Sequence, residues 1–195
     1  TRVGYSYIAA PPWIDISDYA QEMDIDREVI RINPGMAFGT GLHETTSLAA
    51  DCLESYIQEG DKVLDVGCGT GILSIVASKL GASEVLGIDI DDEAVAASIE
   101  NLEANNVHNA VIKKADLIEG VDFKADLVVA NLLTNLVIRL TGDIRNHLNS
   151  GGRYIMSGIL TNQQDKVLEA LRDNGFQWLA IAEQGEWCAI AAELK

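Results

Sequence analysis

Residues 63–71 read Val63-Leu64-Asp65-Val66-Gly67-Cys68-Gly69-Thr70-Gly71, a short apolar run that breaks into glycines at alternate positions. Such a run is a strand entering a tight turn, because glycine adopts left-handed backbone conformations at little steric cost and lets a ligand approach the main chain. The helical pattern that starts at Ile72 puts a helix amino terminus, with its unpaired N–H groups, directly after that turn. A loop that cradles a dinucleotide pyrophosphate has the spacing GxGxxG. Here the spacing is GxGxG, with an acid, Asp65, two positions before Gly67. That form suits the zwitterionic tail of an amino acid, whose ammonium group Asp65 attracts directly or through water. Gly67 and Gly69 join Asp65 as candidate binding positions. The plain alternative is a tight strand–helix connection with no ligand.

Outward from this loop, helix and strand signals alternate. Lys62–Val66 and Glu84–Asp89 read as strands around a helix at Ile72–Leu80 that Gly81 stops. Asp91–Asn105 reads as a helix with acids at its positive end and Val95, Ile99 and Leu102 on one face. Ala110–Lys114 and Asp126–Asn131 are further strands, the second apolar enough to be central. The next helix carries Leu136, Leu140, Ile144 and Leu148 on one stripe, and Asn149–Gly152 turns into a strand at Arg153–Ser157. Gln163–Asn174 is a helix ended by Gly175, and strands at Gln177–Ala182 and Trp187–Ala192 close the chain as a hairpin. Upstream, Leu48, Cys52, Leu53, Tyr56 and Ile57 recur at helical spacing, with Thr45 or Thr46 able to cap the start. Residues 1–34 are irregular in pattern and read as a lead-in segment. The expected class is α/β: a seven-stranded, mostly parallel sheet with helices on both faces and an antiparallel carboxyl-terminal hairpin. Ligands of such sheets bind beyond the carboxyl ends of the strands.

Asp89 ends the strand after the glycine loop, where a carboxylate can accept both hydroxyls of a ribose. Its alternative role is to cap the next helix, but Asp91 and Asp92 already offer caps. Asp116, just beyond the third strand, is either an acceptor for an adenine amino group or a solvated loop acid.

Bulk properties narrow the partners. The chain has 195 residues and a net charge of −16, a surface that repels phosphate backbones and anionic lipid and suits a cationic protein. Solubility alone is the bland reading of that charge. No apolar run approaches the ~20 residues of a membrane span. The first residues lack the apolar core and cleavage pattern of a secretory signal. Cys52, Cys68 and Cys188 lie far apart, as do the histidines, so neither a zinc site nor a disulfide framework is expected and a cytoplasmic location is.

One block is far more specific than the glycine loop. Pro34-Gly35-Met36-Ala37-Phe38-Gly39-Thr40-Gly41-Leu42-His43-Glu44-Thr45-Thr46 resembles the PGxAFGTGxHxTT signature of the PrmA family, which methylates the large-subunit ribosomal protein number eleven. Similar matches occur at Val63–Ile75, Gly87–Asp91, Val128–Leu133, Ser157–Leu160 and Glu186-Trp187, and the resemblance runs from about Trp13 to the end. It implies a Rossmann-like class I methyltransferase fold, S-adenosylmethionine as cofactor, and Thr46, Gly67, Asp89 and Asn131 as cofactor-binding positions. It also implies N-methylation of lysine side chains or the amino terminus of a basic ribosomal protein, without direct nucleic-acid or membrane contact, by a chain expected to be monomeric.

Members of that family normally carry an amino-terminal substrate-recognition domain. The match here begins inside the linker that follows it, so residues 1–34 are expected to be that lead-in and residues 35–195 the methyltransferase domain. Such a piece would hold the cofactor yet methylate poorly for lack of remote binding energy. The family pattern departs at Leu42-His43-Glu44, where Thr-His-Pro is usual, and at Leu132–Leu136, where Ile-Leu-Ala and then Pro-Leu follow the asparagine. Both stretches flank the active site.

Direct displacement needs a neutral amine held in line with the methyl–sulfur bond. Asn131, at a strand end, is the candidate to orient that amine through its side-chain or backbone carbonyl; its alternative is an ordinary strand-end turn residue. Thr46 is equally an ordinary helix cap. His43 is a base or a packing residue, and Phe38–Gly41 a lid or a rigid loop. Competing functions are methylation of another protein or small-molecule amine, and a non-catalytic cofactor-binding module.

Overall fold

The computed structural model describes residues 1–15, 27–33 and 44–195. Three short strands come first: β1 (Arg2–Val3), β2 (Tyr7–Ala10) and β3 (Glu28–Arg31), paired in the order β1-β2-β3. Helix α1 (Glu44–Tyr56) leads into β4 (Lys62–Val66), α2 (Ile72–Lys79), β5 (Glu84–Asp89), α3 (Asp92–Ala104) and β6 (Ala110–Lys114). Strand β7 (Ala125–Asn131), α4 (Thr134–Ile144), β8 (Leu148–Leu160), α5 (Gln164–Asp173), β9 (Phe176–Gln184) and β10 (Trp187–Leu194) complete the chain. The main sheet has the order β6-β5-β4-β7-β8-β10-β9. Strands β4 to β8 are parallel, and β10 runs antiparallel to both β8 and β9. This is the expected seven-stranded sheet with its closing hairpin.

Strand parity divides the core. Val63, Leu127, Val129 and Ile155 face α1, α2 and α3, while Leu64, Val66, Val128 and Ala130 face α4 and α5. Successive side chains on a strand point to opposite faces, so a central strand covered on both sides must be apolar throughout. The chain builds β4, β5 and β6 outward in one direction, then returns to the other flank of β4 with β7. The connections that leave the carboxyl ends of β4 and β7 therefore run to opposite faces of the sheet, which opens a crevice at the reversal.

Three expectations change. The described residues of the amino-terminal segment are not irregular: Val3, Tyr7, Ala9, Ile30 and Ile32 are buried in the same cluster as Leu53 of α1. Asn101 of α3 and Asn105, which caps that helix, accept the backbone N–H groups of Asn33 and Arg31. Leu148 is not on a helical stripe but opens β8, which already includes Asn149–Gly152. Ile99 does not share the buried face of α3, which is formed by Ala94, Ser98, Asn101 and Leu102. The small Ser98 is there because the glycine turn packs on it; a Cβ at Gly71 would lie 3.0 Å from the Ser98 Cβ.

The end of α1 is tied to β8 by one sheltered ion pair. Arg153 donates to Asp61 Oδ1 at 2.9 Å and to the Tyr56 carbonyl, while Asp61 Oδ2 accepts the Gln58 N–H at 2.7 Å. The two side chains are only 12% and 8% exposed. Removing one partner leaves the other charge sheltered and uncompensated. Arg153→Ala is expected to lower stability by about 3 kcal/mol, read as a shift of the urea midpoint with an unchanged slope.

Candidate functional site

A cavity of about 420 Å³ opens at the reversal point, walled by Thr46, Gly67, Cys68, Gly69, Asp89, Asp116, Asn131 and Leu132 among others. The structure thus gathers Thr46, Gly67, Gly69, Asp89 and Asn131 from α1, the β4–α2 turn, β5 and β7 into one place. Asp116, weighed as either ligand or loop acid, also lines it.

Gly67, Gly69 and Gly71 all have positive φ, at 73°, 55° and 78°, so the turn needs left-handed residues at alternate positions. Its donors are not waiting for a ligand, as the position before a helix suggested. The N–H groups of Gly67 and Cys68 both donate to the Ile88 carbonyl, that of Gly69 donates to Asp89 Oδ2 at 2.9 Å, and that of Gly71 to the Cys68 carbonyl. The loop instead offers a bare main-chain wall. The Leu132 side chain lies over Gly67, where a Cβ would come within 2.5 Å of it.

Asp89 is fixed from both sides: Oδ1 accepts the Asp91 N–H at 3.0 Å and Oδ2 the Gly69 N–H. Each oxygen keeps a further lone pair, so an immobilised carboxylate still faces the cavity with room for two hydroxyl donors. The cap of α3 is Asp91, whose Oδ1 accepts the Glu93 N–H, which leaves Asp89 free of that duty.

Asp65 is placed differently. It is 1% exposed, does not line the cavity, and accepts the Ser74 hydroxyl at 2.6 Å. Burial pushes its carboxyl up to about 7, against the pull of the Ser74 hydrogen bonds, and the nearby Asp89 charge adds to the rise. Asp65 therefore stands behind the turn, outside the cavity wall.

At the other side, Asn131 Nδ2 donates to Thr46 Oγ1 at 3.3 Å, and Ser157 Oγ donates to the Thr45 carbonyl at 2.8 Å. Thr46 is thus no simple cap: it sits in the first turn of α1, bonded to the end of β7. Gly158, at φ 79°, lets the Leu132 carbonyl pass where a Cβ would sit 2.4 Å away. Asn131, Leu132 and Leu136 also border a second, apolar cavity of about 430 Å³ closed by Thr45, Leu133, Gly158 and Trp187. The two cavities share a wall at the end of β7. Phe38–Gly41 and His43 lie outside the described residues. Among the described residues no cluster of His, Cys, Asp or Glu could hold a metal ion, and no helix is long and apolar enough to cross a membrane.

Sequence reasoning missed Ile90, Leu117, Leu136 and Arg139, all in the first cavity wall. Ile90 had a signal, a large apolar residue directly after a strand-end acid. Leu117 and Arg139 had none, since a positive φ at a leucine and a helix face turned to a cavity are tertiary facts.

Comparison with known proteins adds the following. A family model described as ribosomal protein L11 methyltransferase (PrmA) matches residues 1–195. A ribosomal protein L11 methyltransferase of Alkaliphilus oremlandii is 43% identical over 100% of this chain and 61% of its own length. One of Dictyoglomus turgidum is 42% identical over 95% of this chain and 60% of its own length. The crystal structure of a ribosomal protein L11 methylase from Lactobacillus delbrueckii subsp. bulgaricus superposes with a TM-score of 0.89 at 37% identity, covering 100% of this chain and 96% of that one. The chain spans about three fifths of the length of these curated relatives.

Two outcomes follow from this geometry. The folded state holds the Asp65 proton more tightly than the unfolded chain does, so the stability from this group is full below about pH 4 and lost as pH rises through about 7. Thermal melts of Asp65→Asn should therefore exceed wild type by several degrees at about pH 8 and by far less at about pH 5. Gly158→Ala should clash with the Leu132 carbonyl and strain the backbone at φ 79°, lowering the thermal midpoint by several degrees.

Proposed function

We propose, because the chain belongs to the ribosomal protein L11 methyltransferase (PrmA) family, that it binds S-adenosylmethionine in the first cavity and methylates amino groups of that ribosomal protein. The observation that carries this reading is the shared wall. A cavity with a bare glycine turn and a pinned carboxylate meets an apolar one at Asn131 and Leu132.

The residues present fit the cofactor. The Gly67–Gly69 main chain gives a smooth wall for its amino-acid tail, and Asp89 gives paired acceptors for its ribose hydroxyls. Thr46, held by Asn131, brings a hydroxyl and the amino-terminal end of α1 to the carboxylate. When bound, the cofactor supplies an electrophilic methyl on a sulfonium, which a neutral amine takes by in-line attack as the carbon–sulfur bond breaks, S-adenosylhomocysteine leaves and a proton is shed.

This chain's part is alignment and desolvation. Leu133, Leu136 and Trp187 would wall the stem of an incoming lysine and keep water from its tip. A free lysine amine has a pKa of about 10.4, and an apolar wall beside a cationic centre lowers it, so the neutral form becomes accessible. Asn131 stands at the boundary with a carbonyl able to orient the amine's remaining N–H. The strongly acidic chain, at −16, would draw a basic substrate by long-range attraction.

The test is transfer of labelled methyl to purified ribosomal protein L11 by the full-length enzyme. Incorporation into amines, reduced at least tenfold by Asn131→Ala, is expected. No incorporation by folded enzyme that binds S-adenosylhomocysteine would overturn the substrate assignment.

A further inference from the structure

The cavity has a far end that the mechanism above does not use. Beyond Asp89 its wall is Ile90, Ala115, Asp116 and Leu117 from the strand ends, closed by Arg139 of α4. Ile90 is 59% exposed and lines the cavity, so its side chain is available to one face of a flat ring. Leu117 has a φ of +50°, a conformation that costs a leucine free energy and persists only where the surroundings enforce it. That kink follows Asp116, whose carbonyl accepts the Glu119 N–H at 3.0 Å, so the Asp116 side chain projects from a fixed turn. Across the opening, Arg139 Nη1 stands 3.9 Å from Asp116 Oδ1.

Arg139 is the only cation among the described residues of this wall. Its place on α4 follows from spacing: Leu136 one turn earlier faces the same cavity, while Val137, Leu140, Thr141 and Ile144 take the buried face. The side chain also borders a neighbouring polar cavity with Glu119, Asp143 and His147, so its charge lies among acids on two sides. In the open site the pair is half-exposed and contributes little. A ring inserted beneath it would strip water from both partners and strengthen the attraction.

We propose that Arg139 is a positioning residue: it holds Asp116 oriented as the acceptor for the exocyclic amine of the cofactor's base, and so sets the preference for adenine over a 6-oxo purine. This deepens the cofactor reading and rests on it. A 6-oxo base presents an acceptor where adenine presents donors, and two facing acceptors repel.

The test is calorimetric titration of the protein with S-adenosylhomocysteine and with S-inosylhomocysteine. Wild type should prefer the adenine compound by about tenfold or more. Arg139→Gln should cut that preference to about twofold, mainly by weakening the adenine compound, and Arg139→Lys should restore much of it. In an Asp116→Ala background, Arg139→Gln should have no further effect on the preference, which a merely structural role for the arginine would not produce. Equal weakening of both compounds by Arg139→Gln, or an unchanged preference, overturns the proposal. A wild type that binds both compounds alike overturns it too and leaves the cofactor reading standing; a wild type that binds neither removes that reading as well.

Discussion

The Asp89 carboxylate accepts the Gly69 N–H at 2.9 Å and the Asp91 N–H at 3.0 Å. Those two bonds join the turn after β4 to the end of β5 and set the shape of the crevice. They require the backbone at Gly67, Gly69 and Gly71 to be left-handed, which a side-chain-bearing residue resists. They also require α3 to come close, and its buried face is accordingly small and polar: Ser98 lies under Gly71, and Asn101 donates to the Thr70 carbonyl at 2.9 Å. Asp89, which faces the cavity, thus also shapes the loop beside it. Loop geometry and the placement of that carboxylate are one constraint.

The opposite wall depends on a second junction, built from residues far apart in sequence. Asn131 reaches Thr46, Ser157 reaches the Thr45 carbonyl, and Gly158 makes room for the Leu132 carbonyl. Three elements meet at the single point where the two cavities touch. The hydrogen bonds there tie the start of α1 to the ends of β7 and β8. The buried Asp65 belongs to the glycine-turn side of the crevice. Its hydrogen bond with Ser74 fastens β4 to α2, at the cost of a carboxyl that resists ionisation.

The fold was legible because the main sheet is built from long, strongly patterned elements. Lys62–Val66, Glu84–Asp89 and Ala110–Lys114 have the same bounds in sequence pattern and structure. The two- and four-residue strands at the amino terminus carry too little period to be read. Leu148 misled because a stripe of leucines at helical spacing continues across a helix end when the next strand begins with one. In the site, strand-end residues such as Asp89 and Asn131 were readable, since sheet topology alone puts them at the crevice. Asp65 was half-read: its acidity near the loop was evident, but whether a carboxylate near the end of a strand points into a cavity or into the core is a matter of pleat parity. Arg139 was invisible, because nothing in a helix sequence says which exposed turn overlooks a crevice.

The most direct test is a crystal structure of the chain with S-adenosylhomocysteine. The account predicts the ribose hydroxyls on Asp89, the amino-acid tail along Gly67–Gly69, the sulfur beside Asn131, and Asp65 still bonded to Ser74 and out of contact with the ligand. Density for the nucleoside elsewhere, or a ribose turned away from Asp89, would contradict it.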